Sequence, residues 1–328
     1  MWYNIIYIVR LDNFNIMIDI LMAVYNGAEF LAPQINSIIS QDMVDISEDW
    51  RLVICDDGSS DGSFEAAGEY ERRFPGRIRV TRNETPTGSA KGNFMGMLRG
   101  SEAEYVMFSD QDDVWKPEKL RITLAKMREL ERQFPGKPLL VHTDMAVVDR
   151  ELNVTAPSFV RFQGLRPRYK SLNRLLCQNN ITGCTVMINR ALADIIKDAP
   201  SEGMLMHDWW AGLAAAAFGE IGFADVQTSL YRQHGGNALG AVNNRSIMGA
   251  VRIVRERLRT KKRISVTYEQ AQAFYRFYRD RLDGESRRIL EIYLEIPGLS
   301  KPARAARLIK YGFLKQNFLA AAGQIVFC

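Results

Sequence analysis

Cysteine and histidine are scarce in this chain. Four cysteines (Cys55, Cys177, Cys184, Cys328) and three histidines are spread over 328 residues, and no two cysteines form a C-x-x-C pair. That spacing argues against a disulfide framework and against a zinc module, and it makes a reduced, cytoplasmic compartment the default expectation. No unbroken apolar run reaches the roughly 18 residues that a membrane-spanning helix needs. The longest, Trp209 to Gly219, is about half that length and follows His207-Asp208. The opening MWYNIIYIVRLDNF has neither a basic n-region nor a small-residue cleavage site, so it reads poorly as a signal peptide. Residues 1–15 are expected to be an extension or an extra strand. Proline (11) and glycine (24) are not in excess, and the chain is 47% hydrophobic and 25% charged. Disordered, collagenous and low-complexity classes are thereby excluded. The length fits one large α/β domain, or one domain with an appendage.

The net charge of +5 conceals an asymmetry. From Arg245 onward there are 18 Lys/Arg against 7 Asp/Glu, while the residues before it hold 25 basic and 31 acidic side chains. An acidic front and a basic tail suggest two tasks.

The apolar pattern alternates between strand and helix. Ile16 to Val24 is a continuous apolar run broken by Tyr25-Asn26-Gly27, and a helical period follows from Glu29 to about Gln41. Short strands are expected at Arg51–Cys55, Arg77–Thr81, Tyr105–Phe108 and from Leu139, with helices near Asp61–Arg73, Gly88–Leu98 and Pro117–Gln133. Asn153 to Arg168 reads as irregular. Helices are then expected at Ser171–Gln178, Ala191–Lys197 and His207–Ala217, with strands at Thr182–Ile188 and Ile221–Ala224. Tyr231 to Gly236 reads as a loop, and the chain beyond Arg245 as nearly all helix. Such alternation predicts an α/β fold with a mostly parallel sheet and helices on both faces. Two of its strands end in acidic turns, where open α/β sheets bind ligands.

Asp110-Gln111-Asp112 is the sharpest of these signals. Two carboxylates one residue apart at a strand end can hold a hard cation such as Mg2+ or Mn2+. A cation there can neutralise a departing diphosphate. The plain alternative is an Asp-rich turn with a helix cap at Asp113. Asp56-Asp57-Gly58-Ser59-Ser60-Asp61 is the second signal. A carboxylate at that strand end can accept from a pyrimidine imide or a ribose hydroxyl, although part of the run serves as a capping turn.

The segments Ile20 to Gly27 (I-L-M-A-V-Y-N-G), Val53 to Asp61 (V-I-C-D-D-G-S-S-D), Phe108 to Trp115 (F-S-D-Q-D-D-V-W) and His207 to Trp210 (H-D-W-W) together resemble family 2 glycosyltransferases. The S-D-Q-D-D-V-W form is similar to that of bacterial rhamnosyltransferases of surface-polysaccharide assembly. The resemblance covers roughly Ile16 to Gly240. It implies a GT-A fold over about 16–244, with a nucleotide-binding half (16–115) and an acceptor half (116–244), followed by a helical region at 245–328. It also implies inverting sugar transfer with a divalent metal. On this resemblance Asp57 contacts the base, and Ala23 and Tyr25 line the nucleotide pocket. Asp110 serves the ribose or diphosphate, and Asp112 is the principal metal ligand. Val24 stands where the family often has Thr or Ser, so no hydroxyl is available there.

Asp208 is the candidate general base, because inverting transfer needs one carboxylate to take the acceptor proton. Its rival role is a helix N-cap. His207 is expected to be a positioning or structural residue. Arg232 and His234 fall in the loop that in this family can close over the diphosphate, with the histidine near the metal. Lys91, just after Gly88 at a helix start, can face phosphates. At Cys184 close packing is the preferred reading.

The expected donor is dTDP-L-rhamnose, with a UDP-hexose such as UDP-galactose or UDP-N-acetylglucosamine as the alternative. The expected acceptor is a hydroxyl of a glycan or lipid-linked glycan. A sugar nucleotidyltransferase is disfavoured, because the turn after the first strand (A-V-Y-N-G-A-E-F) has no basic residue. An inactive scaffold is disfavoured by the retention of Asp57, Asp110, Asp112 and Asp208. The basic Arg252–Arg263 segment can lie on an anionic bilayer, bind nucleic acid, or be a solvated helix. Peripheral membrane contact is the favoured expectation, and no nucleic-acid partner is expected.

Overall fold

The computed structural model describes residues 18–42, 49–234 and 251–327, without the side chains of 251–263, 319 and 327. Several expectations lie outside the described residues: the N-terminal extension, the boundary at 244/245, the end of the Tyr231–Gly236 loop and the side chains of the Arg252–Arg263 segment.

In chain order the strands are β1 (Ile18–Val24), β2 (Trp50–Asp56), β3 (Ile78–Arg82), β4 (Tyr105–Ser109), β5 (Val114–Trp115), β6 (Leu139–Val148), β7 (Val154–Ala156), β8 (Val186–Asn189) and β9 (Glu220–Arg232). The helices of the sheet region are α1 (Ala28–Ile39), α2 (Ser63–Arg73), α3 (Ala90–Arg99), α4 (Lys119–Gln133), α5 (Phe159–Gln163), α6 (Leu172–Cys177), α7 (Arg190–Ile196) and α8 (His207–Phe218). Four more follow: α9 (Val251–Tyr278), α10 (Gly284–Glu295), α11 (Lys301–Lys310) and α12 (Phe318–Phe327).

The sheet order is β3-β2-β1-β4-β8-β6-β9-β5, with β7 on β6. The first four strands are parallel. β8 lies antiparallel between β4 and β6, and β6 and β9 are parallel to each other. The sheet is therefore mixed. The chain steps one way from β1 to β2 and β3, then returns to place β4 on the other side of β1. That reversal opens a crevice at the carboxyl ends of β1 and β4, where both acidic turns lie.

Strand alternation builds two cores. Ile18, Ile20, Met22 and Val24 of β1 join Leu31, Ile35 and Ile38 of α1 and Leu120, Leu124 and Met127 of α4 on one face. Leu21 and Phe108 turn to the other face, with Phe94 and Leu98 of α3 and the apolar side of α8. The C-terminal helices continue this second core, since Phe274, Tyr278, Tyr293 and Phe313 are buried with Trp210. Tyr293 Oη donates to the Leu176 carbonyl (3.2 Å), and the Leu205 amide donates to Gln270 Oε1 (2.8 Å). α9 and α10 thus buttress α6 and the approach to α8.

The structure corrects three local expectations. Ile221–Ala224 is part of a 13-residue strand, so Tyr231 and Arg232 stand on β9 rather than in a loop. Register shifts against β6 around Thr143–Ala146 break the alternation that would have revealed this strand. Asn153–Arg168 contains β7 and α5. Thr182–Ile188 begins as a 3-10 turn, Gly183–Thr185, before β8.

Candidate active site

Three turns at the sheet switch point lace together. Asn26 takes a left-handed conformation (φ 46°) after β1. Its amide donates to Ser59 Oγ (2.9 Å), and its Oδ1 accepts from the Ser60 amide (2.9 Å). The Gly27 amide donates to Ser63 Oγ and the Ala28 amide to Asp61 Oδ2, at 2.9 and 3.0 Å. Asp61 therefore caps the start of α1 while also accepting from the Ser63 amide at the start of α2 (3.0 Å). Asp56 is buried, which alone would raise its carboxyl. Ser59, Arg82 and the Gly58 amide outweigh that and hold it below the usual range.

Asp57 is 6% exposed. Its carboxylate accepts from Asn83 Nδ2 (2.7 Å), the Thr87 amide (2.7 Å), Thr87 Oγ1 (3.0 Å) and the Gly88 amide (3.0 Å). It fixes the turn that leads into α3, whose N-cap Ser89 accepts from the Gly92 amide. Ala23 is half-buried at the end of β1, opposite Cys55 of β2. The Tyr25 side chain is 60% exposed. Lys91 donates to the Met204 carbonyl just ahead of α8, tying α3 to the approach to that helix.

The Asp110–Asp113 turn is held from several sides. Gln111 Oε1 accepts from the Tyr25 amide (2.9 Å), and its Nε2 donates to the Tyr25 carbonyl (3.1 Å). A Cβ on Gly27 would lie 2.3 Å from the Gln111 amide carbon, so only glycine leaves room for that pair. From α1, Gln34 Nε2 donates to Ser109 Oγ and the Asp110 carbonyl, at 2.8 and 3.1 Å, and Ser37 Oγ accepts from the Trp115 amide (2.9 Å). Asp112 Oδ2 lies 2.8 Å from His234 Nε2. Arg232 is 5% exposed, donates from Nε to the Asp112 carbonyl (3.0 Å) and stacks 5.0 Å from the Phe30 centroid. Its Nη1 bonds the Arg150 carbonyl. Arg232 thus braces the acidic turn.

Asp208 enters from the opposite wall. The N-cap of α8 is Met206, so Asp208 is not the cap. It sits in the first turn, where the helix dipole favours a carboxylate. Its Oδ2 accepts from the Gly183 amide (2.9 Å), and its Oδ1 from Asn179 Nδ2 (3.3 Å) and the Trp209 amide (2.6 Å). The following tryptophans lock the helix. Trp209 Nε1 donates to the Leu175 carbonyl (2.7 Å), and Trp210 Nε1 to Tyr278 Oη (3.2 Å). His207 is buried against Phe94 and Phe108, with ring centroids 4.2 and 4.7 Å away. Burial lowers its pKa to about 3, so it is a neutral packing residue at physiological pH.

The carboxylates disturb one another. Burial pushes Asp110 well above its ordinary range, and the charges of Asp113, Asp112 and Asp208 push it further. Asp113 is pushed up to about 7 by burial and by Asp112. Asp208 is pushed up to about 6 by burial, against the pull of its amide donors and Asn179. Asp208 accepts from the Gly183 amide, and the next residue, Cys184, has its sulfur within 4.8 Å of the Asp110 and Asp113 carboxylates, so distant parts of the sequence converge on one crevice. Lys119, fully buried with Nζ 3.1 Å from Thr228 Oγ1, is pushed down to about 8 by burial. Clustered, partly buried carboxylates of this kind suit a hard dication, which would relieve their repulsion.

The structure thus brings together Asp110, Asp112, Asp113, Asp208 and His234. It leaves Tyr25 open to solvent and turns Arg232 and Lys91 toward main-chain carbonyls. Gln34, Ser37, Gln111, Asn179 and Gly183 escaped sequence reasoning. The polar pair Gln34 and Ser37 on the buried face of α1 was the one available signal.

Comparison with known proteins agrees with this geometry. The family model described as Glycosyl transferase family 2 matches residues 19–195, more than half of the chain. The dTDP-rhamnosyl transferase RfbG of Shigella flexneri is 26% identical over 233 residues, covering 67% of this chain and 74% of that protein. Other curated relatives are matched over less of their own length, such as 45% for the putative glycosyltransferase EpsE of Bacillus subtilis. Among solved structures, residues 1–349 of S. aureus TarS in complex with UDP-GlcNAc align with a TM-score of 0.53 and 17% identity, over 94% of this chain and 88% of that one. A mannosyltransferase from Pyrobaculum calidifontis, in complex with GDP-Man and Mn2+, aligns with a TM-score of 0.51 and 16% identity, over 93% and 77%. These likenesses establish the GT-A type of fold.

Proposed function

The chain belongs to glycosyl transferase family 2, and from that premise we propose that it moves L-rhamnose from dTDP-L-rhamnose to a hydroxyl of a glycan or lipid-linked glycan during polysaccharide biosynthesis. The observation that carries the reading is that Asp208, on α8, accepts from the Gly183 amide (2.9 Å), whose neighbour Cys184 has its sulfur within 4.8 Å of carboxylate oxygens of Asp110 and Asp113 on the β4 turn. A single displacement requires this opposition of an acceptor-side carboxylate and a leaving-group side. Asp208 takes the proton from the attacking hydroxyl, and the amides of Gly183 and Trp209 and the Asn179 side chain aim its two oxygens. Asp112, with Asp110 and His234, would hold Mg2+ or Mn2+, whose chemistry is to stabilise charge on the departing diphosphate. Asp57 and its turn form the floor for the pyrimidine, beside Ala23 and Tyr25. Lys91, at the start of α3, would have to leave the Met204 carbonyl to meet a phosphate. Arg232 holds the carbonyl side of Asp112 and so supports the same turn.

The rhamnosyl donor is favoured by the S-D-Q-D-D-V-W motif and by the RfbG relative. A UDP-hexose is the second reading, favoured by the nucleotide sugar bound to the TarS neighbour. Purified protein with Mn2+ and a panel of sugar nucleotides decides between them. Consumption of dTDP-L-rhamnose in the presence of glycan acceptor supports the first, consumption of a UDP-hexose supports the second, and consumption of neither refutes both.

The domain plan retained is a catalytic region near 16–244 followed by helices over 245–328. We further propose that the C-terminal helices touch the cytoplasmic face of an anionic membrane. Among the described residues no helix is long and apolar enough to cross one. Ile309, Phe318 and Val326 are 58%, 83% and 64% exposed, on helices that also carry Lys301, Arg304, Arg307 and Lys310. Such pairing of apolar and basic groups suits the bilayer interface. Co-sedimentation with anionic but not neutral vesicles is the expected result.

A further inference from the structure

Cys184 and Met145 pack in a small apolar cluster with Val147, Ala156 and Tyr231, as expected of Cys184, yet the catalytic reading gives no task to Asp113 or to the Cys184 sulfur beside it. Cys184 reaches the acidic turn because Gly183, its neighbour in the 3-10 turn, is fastened to Asp208. One ligand atom each from Asp110, Asp113 and Cys184 lies within 4.8 Å of the other two. Asp113 is 0% and Cys184 1% exposed. Asp113 Oδ1 accepts from the Arg232 amide at 3.4 Å, while its Oδ2 is buried with no hydrogen-bond partner. Besides that amide, the thiol of Cys184 is the one donor beside this carboxylate among the described residues, and a thiol is a weak one, so the cost of burying the oxygen is met only in part. The Cys184 sulfur lies 3.7 Å from that of Met145, itself buried, and the Cys184 thiol is also in hydrogen-bond contact with the Asp113 and Asp110 carboxylates. Asp110 keeps partial exposure and gives the cluster its opening to the crevice.

The donor set is informative. Mg2+ and Mn2+ prefer oxygen ligands throughout, whereas a thiolate selects softer ions. Zinc accepts a mixture of thiolate and carboxylate in tetrahedral geometry. We propose that Asp110, Asp113 and Cys184 form a second cation site, selective for thiophilic divalent ions such as Zn2+ or Cd2+, which shares Asp110 with the proposed Mg2+ or Mn2+ centre and therefore inhibits when filled. Binding forms a metal–sulfur bond, and the thiol proton leaves to solvent without any change of oxidation state. The site rests on geometry alone, and only its competition with Mn2+ rests on the proposed transferase function.

The test is titration of the metal-free full chain with Cd2+. The expected result is an ultraviolet Cd–thiolate charge-transfer band that saturates at one equivalent. The band disappears in Cys184→Ser and persists in Cys55→Ala, Cys177→Ala and Cys328→Ala. X-ray absorption of the Zn2+-loaded wild-type chain needs no variant and is expected to report one sulfur among oxygen ligands. Absence of the band, its persistence in Cys184→Ser, or a shell of oxygen and nitrogen only overturns the site. In turnover, Cd2+ is expected to raise the Mn2+ concentration needed for half-maximal sugar transfer at least tenfold. A full band with unchanged Mn2+ dependence overturns the sharing of Asp110. If no donor is turned over at all, the functional reading falls, and the band still decides the site.

Discussion

Asp57 and Asp113 sit on opposite sides of one crevice, and both are buried, at 6% and 0% exposure. Asp57 accepts four hydrogen bonds, two on each oxygen. Asp113 has one long bond to an amide and an oxygen with no partner. On the β2 side Asp57 is a fully hydrogen-bonded carboxylate, although its neighbour Asp56 keeps one buried oxygen, Oδ1, without a partner. The β4 side gathers Asp110, Asp112, Asp113 and Asp208, and the donors to Asp208, His234 beside Asp112 and Lys119 near Asp113 compensate their repulsion only in part. A saturated carboxylate shapes a loop, whereas a carboxylate left short is available to an incoming charge. The same residue type therefore builds one half of the site and equips the other.

Five substitutions would break or sharpen this contrast, and the largest effect is expected at Asp208. Asp208→Asn removes the base, and kcat should fall by about 10²–10⁴ while donor binding by calorimetry is retained. Full turnover in this variant would remove the base assignment and leave the family intact. The wild-type pH profile should agree. With its pKa pushed up to about 6, the base is lost to protonation below that pH, and kcat/KM should fall about tenfold per unit there.

Gly27→Ala should come next. Its new Cβ would overlap the Gln111 side chain and unfasten the two turns. A loss of about 1–3 kcal/mol in denaturant unfolding is expected, together with a raised KM for the donor. Adding Gln111→Ala should recover the stability but not the KM. If the double variant is as unstable as the single one, the steric account fails.

The two aspartates should then part company. Asp57→Asn puts an amide hydrogen against the Thr87 and Gly88 amides and should cost about 1–3 kcal/mol. Asp113 has its folded pKa raised to about 7 from 3.8, so the folded state binds the proton more tightly than the unfolded chain. Its contribution to stability is thus greatest at low pH and declines as pH rises through roughly 4 to 7. Asp113→Asn should flatten that decline in Tm, measured between pH 5 and pH 8. An unchanged slope would show that Asp113 is not a source of the strain.

The smallest effect is expected at Asn179. Its amide helps to hold Asp208 ionised. Asn179→Ala should move the acidic limb of the pH profile upward by less than about one unit, with KM for the donor unchanged. A limb that stays in place while kcat falls would assign Asn179 to packing only.

Much of the fold was legible because burial imposes a period. β1 to β4 and their helices follow apolar alternation that any sheet covered on both faces must show, and the breaks at Asn26, Gly58 and Gly88 mark turns. The acidic turns were legible because chemistry concentrated their carboxylates at strand ends. β9 was underestimated because its pairing with β6 slips twice and carries exposed residues in mid-strand. The N-cap reading of Asp208 failed because Met206 occupies that position. Gln111 read as a spacer, yet its amide pairs with the Tyr25 backbone across 86 residues of sequence.

By itself the sequence determined the order of the principal strands and helices, the two acidic turns, the family and the identity of the acids, since each is written in local periodicity or in short motifs. Only the tertiary structure decided which of those acids meet, which are saturated and which stand short of partners, and that Cys184 lies among them. Proximity and desolvation are properties of segments brought together from far along the chain, and no local pattern encodes them.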